Sequence, residues 1–200
     1  NISEPFKNLF TQGMVCHESY RDEDGNWLYP HEVEKVDANT TLKKSDRSKV
    51  LVGPPESMSK SKKNTIDPEI MIEKYGADAV RWFILSDSPT EKDIQWSDTG
   101  VAAANKFLQK IWNLSFQIIN RKDKKISKEF ENKFLIELEL LFSKIDRSIE
   151  AFKFNVTIAH FYETYNLLNR YLNLEVSNKC LINSVTKLMK LLLPLTPHIA

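Results

Sequence analysis

Residues 56–69 read ESMSKSKKNTIDPE, and the character of the chain changes within this stretch. Its first nine residues carry three lysines and three serines after a Gly-Pro-Pro bend, which is typical of an exposed loop. Its end contains Asp67, which can cap a helix, with Pro68 at the first helical position and Glu69 in the first turn. The stretch therefore separates a strand-forming part of the chain from a helical part.

Short strands are predicted before this stretch. Residues 13–16 and 27–29 flank a turn-forming cluster around Asp24 and Gly25, which predicts a hairpin between them. Residues 33–36 and 50–52 are predicted as further strands, joined by a polar loop at residues 37–48.

Helices are predicted after Thr65. Gly76 is expected to end the first helix and Asp78 to cap the second, and four longer helices follow from Asp98, the last stopped by Pro194. The apolar stripes of the four helices are Ala104, Phe107, Leu108, Ile111, Ser115 and Ile118; Phe134, Leu138, Leu141, Ile145 and Ile149; Phe154, Ile158, Phe161, Tyr165, Leu168 and Tyr171 or Leu172; and Leu181, Val185, Leu188 and Leu192. This pattern predicts an antiparallel helix bundle appended to the last part of an α/β domain.

Composition limits the possible partners and compartments. The net charge is only +1, from 28 basic and 27 acidic residues, so any attraction for nucleic acid must come from local patches. Cys16 and Cys180 are far apart without a CxxC pair or zinc-like histidine spacing, which favours reduced thiols and no metal site. No apolar run approaches the ~18 residues of a membrane span, and we expect a cytoplasmic protein with no membrane partner.

The lysine-rich loop suits a phosphate ligand. Lys60, Lys62 and Lys63 lie among small hydroxyl side chains, and ammonium, hydroxyl and backbone N–H donors together match the charge of an oligophosphate. Composition alone leaves open a solvated basic turn, because lysine and serine are ordinary loop residues.

The order of the residues adds a family resemblance. Ser57-Met58-Ser59-Lys60-Ser61 resembles the KMSKS loop of class I aminoacyl-tRNA synthetases. The flanking residues resemble the leucyl-tRNA synthetases best; they are Gln12-Gly13-Met14-Val15, Lys63-Asn64-Thr65-Ile66-Asp67-Pro68, Tyr75-Gly76-Ala77-Asp78 with Arg81, Ser88-Pro89, Gln95-Trp96-Ser97-Asp98 and Gly100-Val101. The ending Pro194-Leu195-Thr196-Pro197-His198 resembles the last helices of the family's anticodon-binding domain.

This resemblance implies ATP-dependent activation of leucine to leucyl-adenylate, followed by transfer to tRNA(Leu). It implies that the loop closes over the ATP phosphates, with Mg²⁺ sharing their charge, and that Lys60 makes the main contact as the catalytic residue. The other residues implied to bind the ATP phosphates are Ser57, Met58, Ser59, Ser61 and Lys63, and Met14 and Val15 are implied to border the nucleotide pocket.

One departure from the family motif concerns its first residue, which is Ser57 here instead of lysine. A charge-assisted contact to phosphate, worth about 1.5–3 kcal/mol, is thereby lost. We expect Lys62 or Lys63 to replace it in part.

A second departure is the lack of a HIGH-like motif, of the first Rossmann strands and of an editing domain in these 200 residues. Together with the absence of an initial Met, it indicates a piece of a longer protein, and we expect this piece to be inactive alone because catalysis needs both halves of the site. We expect the longer protein to be a monomer. The predicted domains are residues 1–66, the end of a Rossmann-type catalytic domain; 67–97, a helical connection; and 98–200, a truncated bundle of the anticodon-binding type. The fold is thus mainly α with a small α/β part. The alternatives are a valyl or isoleucyl enzyme, or a non-catalytic helical RNA-binding module.

The resemblance also implies that the bundle binds tRNA. The candidate phosphate contacts are Lys106, Lys110, Arg121, Lys122, Lys124 and Lys125, and a solvated linker explains the last four equally well. Helix-face or cap positions predict core packing, and no base stacking, for Trp82, Phe83, Trp96 and Trp112.

Overall fold

The computed structural model describes residues 4–37, 39–122 and 124–200, which form two compact units. The first unit comprises residues up to 69 together with 91–97, and the second comprises residues 70–90 and 98–200. The α-helices are α1 (Pro68–Tyr75), α2 (Ala77–Ser86), α3 (Asp98–Ile119), α4 (Lys128–Glu150), α5 (Phe154–Tyr171) and α6 (Asn178–Leu192). The prediction of a mainly α fold with a small β part is confirmed.

All eight strands described are two or three residues long and lie in the first unit. They are β1 (Val15–His17), β2 (Tyr20–Arg21), β3 (Trp27–Leu28), β4 (Val33–Lys35), β5 (Thr41–Lys43), β6 (Leu51–Val52), β7 (Glu56–Ser57) and β8 (Ile94–Gln95). They form sheets of order β7-β1-β8 and β3-β2-β6 and a β4-β5 pair. A small core of Tyr20, Leu28, Val33 and Val50 is buried in this unit.

The predicted hairpin has a different first strand. Tyr20 pairs with Leu28 and Arg21 with Trp27, around a turn in which Gly25 has a φ of +85°. A short turn fixes the pairing of the residues immediately beside it, so residues 13–16 are too distant in sequence to be the partner. Strand β1 instead pairs antiparallel with β7 and parallel with β8.

Two segments for which no strand was predicted each contain a strand. The predicted polar loop at residues 37–48 includes β5, whose Lys43 pairs with Val33 of β4. Strand β8 lies within the stretch predicted as a helical connection. Gly13 allows the chain to approach β8, because a Cβ at this position would lie 2.1 Å from the carbonyl oxygen of Lys92.

The two short helices begin differently. Helix α1 starts at Pro68 as predicted, and Asp67 Oδ1 accepts a hydrogen bond from the Glu69 N–H at 2.9 Å. The prediction that Asp78 caps α2 is wrong, since Gly76 occupies the N-cap with a φ of +83°. The Asp78 carboxylate lies inside α2 and accepts from the N–H of Ile199 at 2.7 Å, a partner that is distant in sequence.

The helical unit is stabilised by long apolar stripes. The stripes predicted for α3 and α6 are buried throughout, while in α4 Phe142 takes the buried place predicted for Leu141. Spacings of four, four and three residues from Phe134 through Leu138 and Phe142 to Ile145 keep the α4 stripe on one face. Helix α4 packs on α5 and α6, and α2 packs on α3 and α5.

Candidate functional site

The KMSKS-like loop begins at the edge of the sheet that contains β1. Ser57 pairs with Cys16, and the N–H of Met58 donates to the carbonyl oxygen of Val15 at 3.2 Å. The chain then turns tightly, with hydrogen bonds from Lys62 N to Ser59 O and from Lys63 N to Lys60 O, both 3.2 Å. Two consecutive turns of this kind bring Lys60 to the exposed tip of the loop.

Asn64 holds both ends of this loop, and sequence reasoning missed its role. The residue is fully buried, at 0 % exposure. Its side-chain oxygen accepts from the Ser59 N–H at 2.8 Å, and its amide nitrogen donates to the carbonyls of His17, Glu56 and Ser57 at 3.2–3.4 Å. The one available signal was an asparagine directly after a polar loop, and a buried position could not be inferred from that.

The three lysines of the loop have different surroundings. Lys62 forms an ion pair with Glu56, and the hydrogen bond from Lys62, followed by one from Ser19, lowers the pKa of the Glu56 carboxyl. The Lys63 ammonium lies 5.1 Å from the centre of the Tyr29 ring, a cation–π contact, and Lys63 has a φ of +53°.

Lys60 differs from both of these lysines. It is exposed, and among residues 4–37, 39–122 and 124–200 no carboxylate lies within ion-pair distance of its ammonium group. Two hydroxyl groups flank it in sequence, with Ser59 Oγ and Ser61 Oγ 2.7 Å apart. One of these two hydroxyls donates to the other, so the tip of the loop presents a cation and one free hydroxyl donor, a set that fits phosphate oxygens.

The structure also brings Met14 and Val15 close to the loop. Val15 accepts from Met58, as described above, and the Met14 N–H donates to Asp93 Oδ1 at 2.8 Å. Met14 is 56 % exposed, so an apolar residue is accessible where the central strand β1 begins. Ser57, in place of the motif's first lysine, is likewise exposed.

The basic residues of the bundle fall into two groups: some bond to the protein backbone, and others lie at exposed positions. The Arg121 guanidinium donates to the carbonyls of Leu172, Leu174 and Val176 and to the Asn178 side chain, at 2.5–2.8 Å. Lys124 donates to the carbonyl of Asn173 at 2.9 Å. These bonds fasten the α3–α4 connection to the α5–α6 turn, so this geometry assigns Arg121 to holding the bundle together. Exposed positions are occupied by Lys106, Lys110, Lys122 and Lys125.

One aromatic residue departs from the prediction of core packing. Trp82, Phe83 and Trp96 are buried, as expected. Trp112 is 61 % exposed on α3, because a step of one residue from the buried position Ile111 turns about 100° around the helix and leaves the buried face.

Neither a metal site nor a membrane span is found in the part of the chain that the structure describes. No three His, Cys, Asp or Glu side chains there are grouped closely enough to hold a metal ion. None of the described helices combines the length and apolar character needed to cross a bilayer.

Comparison with known proteins finds a match at the segment that contains the loop. The family model for class I tRNA synthetases (I, L, M and V) matches residues 50–97, which include the loop and Asn64. The fold resembles that of a Mycobacterium tuberculosis methionyl-tRNA synthetase solved with methionyl-adenylate, with a TM-score of 0.56 at 17 % identity over 70 % of this chain and 33 % of that one. The segment that contains the loop thus matches the class I tRNA synthetases.

Within that class, the similarity to leucine–tRNA ligases covers the entire chain. The identity is 42 % to the Orientia tsutsugamushi enzyme and 39 % to the Acidiphilium cryptum enzyme, in both cases over 100 % of this chain. The LeuRS of Agrobacterium radiobacter, solved as a ternary complex with tRNA and LeuAMS, matches 99 % of this chain with a TM-score of 0.69 at 26 % identity. Over its whole length, this chain is therefore homologous to leucine–tRNA ligases.

The match covers only part of those relatives. The chain spans 23–24 % of the length of the two curated enzymes and 22 % of the Agrobacterium protein. The whole-chain similarity favours the leucyl family over the valyl, isoleucyl and non-catalytic alternatives.

Proposed function

We propose that the full-length protein containing this chain activates leucine with ATP and transfers the leucyl group to tRNA(Leu). The observation that carries this proposal is Lys60, an exposed ammonium group without a carboxylate partner among the described residues, on a loop whose two ends are held by Asn64. The other two lysines of the loop have partners: Lys62 pairs with the Glu56 carboxylate, and Lys63 lies over the Tyr29 ring.

The chemistry assigned to the loop is stabilisation of a leaving group. When the leucine carboxylate attacks the α-phosphorus of ATP, the bond to the bridging oxygen breaks and pyrophosphate leaves with increased negative charge. A cation placed at that charge lowers the barrier, because it interacts more strongly with the transition state than with ground-state ATP. Lys60 supplies this cation, and the Ser59–Ser61 pair supplies a hydroxyl donor.

Mg²⁺ enters this scheme with the nucleotide. The loop offers ammonium, hydroxyl and N–H donors. These groups bind phosphate oxygens, but they do not provide the carboxylate ligands that a cation needs. We therefore propose that bound ATP supplies ligands for Mg²⁺, which neutralises part of the phosphate charge.

The proposed tRNA contacts are the exposed lysines of the bundle. Lys106 and Lys110 on α3 and Lys122 and Lys125 after it have ammonium groups available for phosphates. Such contacts position the RNA without reading its sequence. Arg121 and Lys124 support the connection that presents two of these lysines.

Two further expectations belong to this proposal. Cys16 and Cys180 are unpaired thiols, consistent with the reducing cytoplasm. We also expect the full-length protein to be a monomer, which sedimentation analysis would measure.

The test is amino-acid-dependent ATP–pyrophosphate exchange by the full-length protein. We expect exchange with leucine and at least about a hundredfold lower kcat/KM with isoleucine, valine or methionine. The 200-residue chain alone, assayed in parallel, should show no exchange. Equal exchange with valine or isoleucine would contradict the leucine assignment, and exchange by the isolated chain would contradict the need for the rest of the active site.

A further inference from the structure

We propose that Asn64 is a positioning residue that sets the location of the Lys60 ammonium group during adenylate formation. This inference rests on the proposed function of Lys60. Asn64 lies outside the five-residue signature and is itself inaccessible to solvent, so its effect on the reaction must pass through the loop that it holds.

The contacts of Asn64 connect three separate segments of backbone. Its amide nitrogen faces the carbonyl oxygens of His17 in β1 and of Glu56 and Ser57 in β7. Its carbonyl oxygen accepts from Ser59, the residue immediately before Lys60. One side chain therefore joins the end of the loop to strands β1 and β7. The same side chain also joins it to Ser59, next to the tip.

An amide is the side chain that these surroundings require. The site presents carbonyl acceptors on one side and an N–H donor on the other, and an asparagine amide supplies both a donor group and an acceptor. Aspartate would place a carboxylate beside carbonyl oxygens, and alanine would leave the buried groups without partners.

The remaining contacts near Lys60 do not join it to the sheet, because the two turn hydrogen bonds, including that from the Lys63 N–H to the Lys60 carbonyl, lie within the loop. The Ser59–Ser61 hydroxyl contact lies entirely within the loop tip, and the Lys62–Glu56 pair lies on the surface, where ion pairs contribute little. Catalysis by a preorganised charge is sensitive to displacements of about 1 Å. Loss of the Asn64 contacts should therefore reduce the rate even though Lys60 is still present.

The first test measures the loop directly in the full-length protein, without reference to activity. Asn64→Ala should increase trypsin cleavage after Lys60, Lys62 and Lys63 by about tenfold, because several hydrogen bonds that close the loop are lost. Asn26→Ala is the matched control: its amide donates to Asp22 at 3.1 Å in the hairpin turn, and cleavage of the loop should be unchanged. Unchanged cleavage in Asn64→Ala would overturn the proposal.

The second test is a double-mutant cycle in leucine-dependent ATP–pyrophosphate exchange. We expect kcat to fall about tenfold in Asn64→Ala and about a hundredfold in Lys60→Ala, with an unchanged KM for leucine in both. The double variant should lie within about threefold of Lys60→Ala, since Asn64 then has no ammonium group to position.

The outcomes separate the inference from the function on which it rests. A double variant about a thousandfold below wild type, the product of the two single effects, would show that Asn64 acts independently of Lys60 and would overturn the positioning role. Wild-type kcat in Lys60→Ala would instead overturn the proposed function of Lys60. Increased loop cleavage in Asn64→Ala would still support the anchoring contact in that case.

Discussion

The two units of this molecule are stabilised in different ways. In the unit with the loop, strands of two or three residues surround a small apolar core, and single polar side chains such as Asn64 hold particular segments. In the helical unit, helices of 15–23 residues bury continuous apolar stripes between α3, α4, α5 and α6. Function in the first unit should therefore depend on single residues, whereas stability in the second should depend on burial distributed over many.

The largest effect on stability is expected from a substitution in the core of the helical unit. Phe161 is fully buried, with its ring 5.8 Å from that of Trp82. Phe161→Ala should reduce the free energy of unfolding by about 3–5 kcal/mol, measured by urea denaturation of the 200-residue chain. Phe116→Ala, at a position 63 % exposed, is the control and should change it by less than about 0.5 kcal/mol. Equal effects would contradict a stability based on burial.

Arg121 tests whether the helical unit also contains a polar anchor. Arg121→Lys keeps the positive charge but loses the planar fork that donates to the α5–α6 turn, and we expect a loss of about 2 kcal/mol in unfolding free energy. Lys122→Arg is the control at the neighbouring exposed position. If Arg121 were a phosphate contact instead, Arg121→Lys would leave stability unchanged.

The exposed lysines after α3 test the proposed RNA surface. Replacing Lys122 and Lys125 with alanine should reduce the slope of log affinity for tRNA(Leu) against log salt by about 1–2, because up to two phosphate contacts are removed. Lys190→Ala, at an exposed position on α6, should leave the slope unchanged. An unaltered slope in the double variant would indicate that these lysines are merely solvated.

The smallest effect concerns Cys180 in the helical unit. Burial, followed by the nearby Glu131 carboxylate, raises the pKa of this thiol from 9.0 to about 11. The neutral thiol is thus favoured in the folded state, so its contribution to stability is present below pH 9 and is lost as the pH rises towards 11. In a Cys16→Ser background, iodoacetamide should modify Cys180 at pH 9 at least about tenfold more slowly than in urea. Equal rates would contradict the raised pKa.

Local signals predicted the helices well and the strands less well. The stripe from Ala104 to Ile118 and the start at Asp67 and Pro68 follow from helical periodicity and capping, which involve neighbours in sequence. The pairing of β1 with β8 joins Val15 to Ile94, and no local pattern specifies such a distant partner. The same limit explains the wrong role predicted for Asp78, whose partner is Ile199.

The candidate site likewise contains features that local sequence predicts and features that depend on partners distant in sequence. The resemblance to the family motif assigned the main phosphate contact to Lys60, but three lysines in one short segment have the same chemistry until their partners are known. The structure distinguishes them through Glu56 and Tyr29, neither of which the sequence linked to a particular lysine. Asn64 was missed because its importance comes from burial and from acceptors in β1 and β7.

The most direct test of the central claim compares Lys60→Ala with Lys62→Ala in the full-length protein, by leucine-dependent ATP–pyrophosphate exchange. We predict that kcat falls about a hundredfold in Lys60→Ala, because the charge that stabilises the departing pyrophosphate is removed. Lys62→Ala should remain within about threefold of wild type, since its ammonium group is paired with Glu56. Equal activity of Lys60→Ala and the wild-type protein would contradict the account.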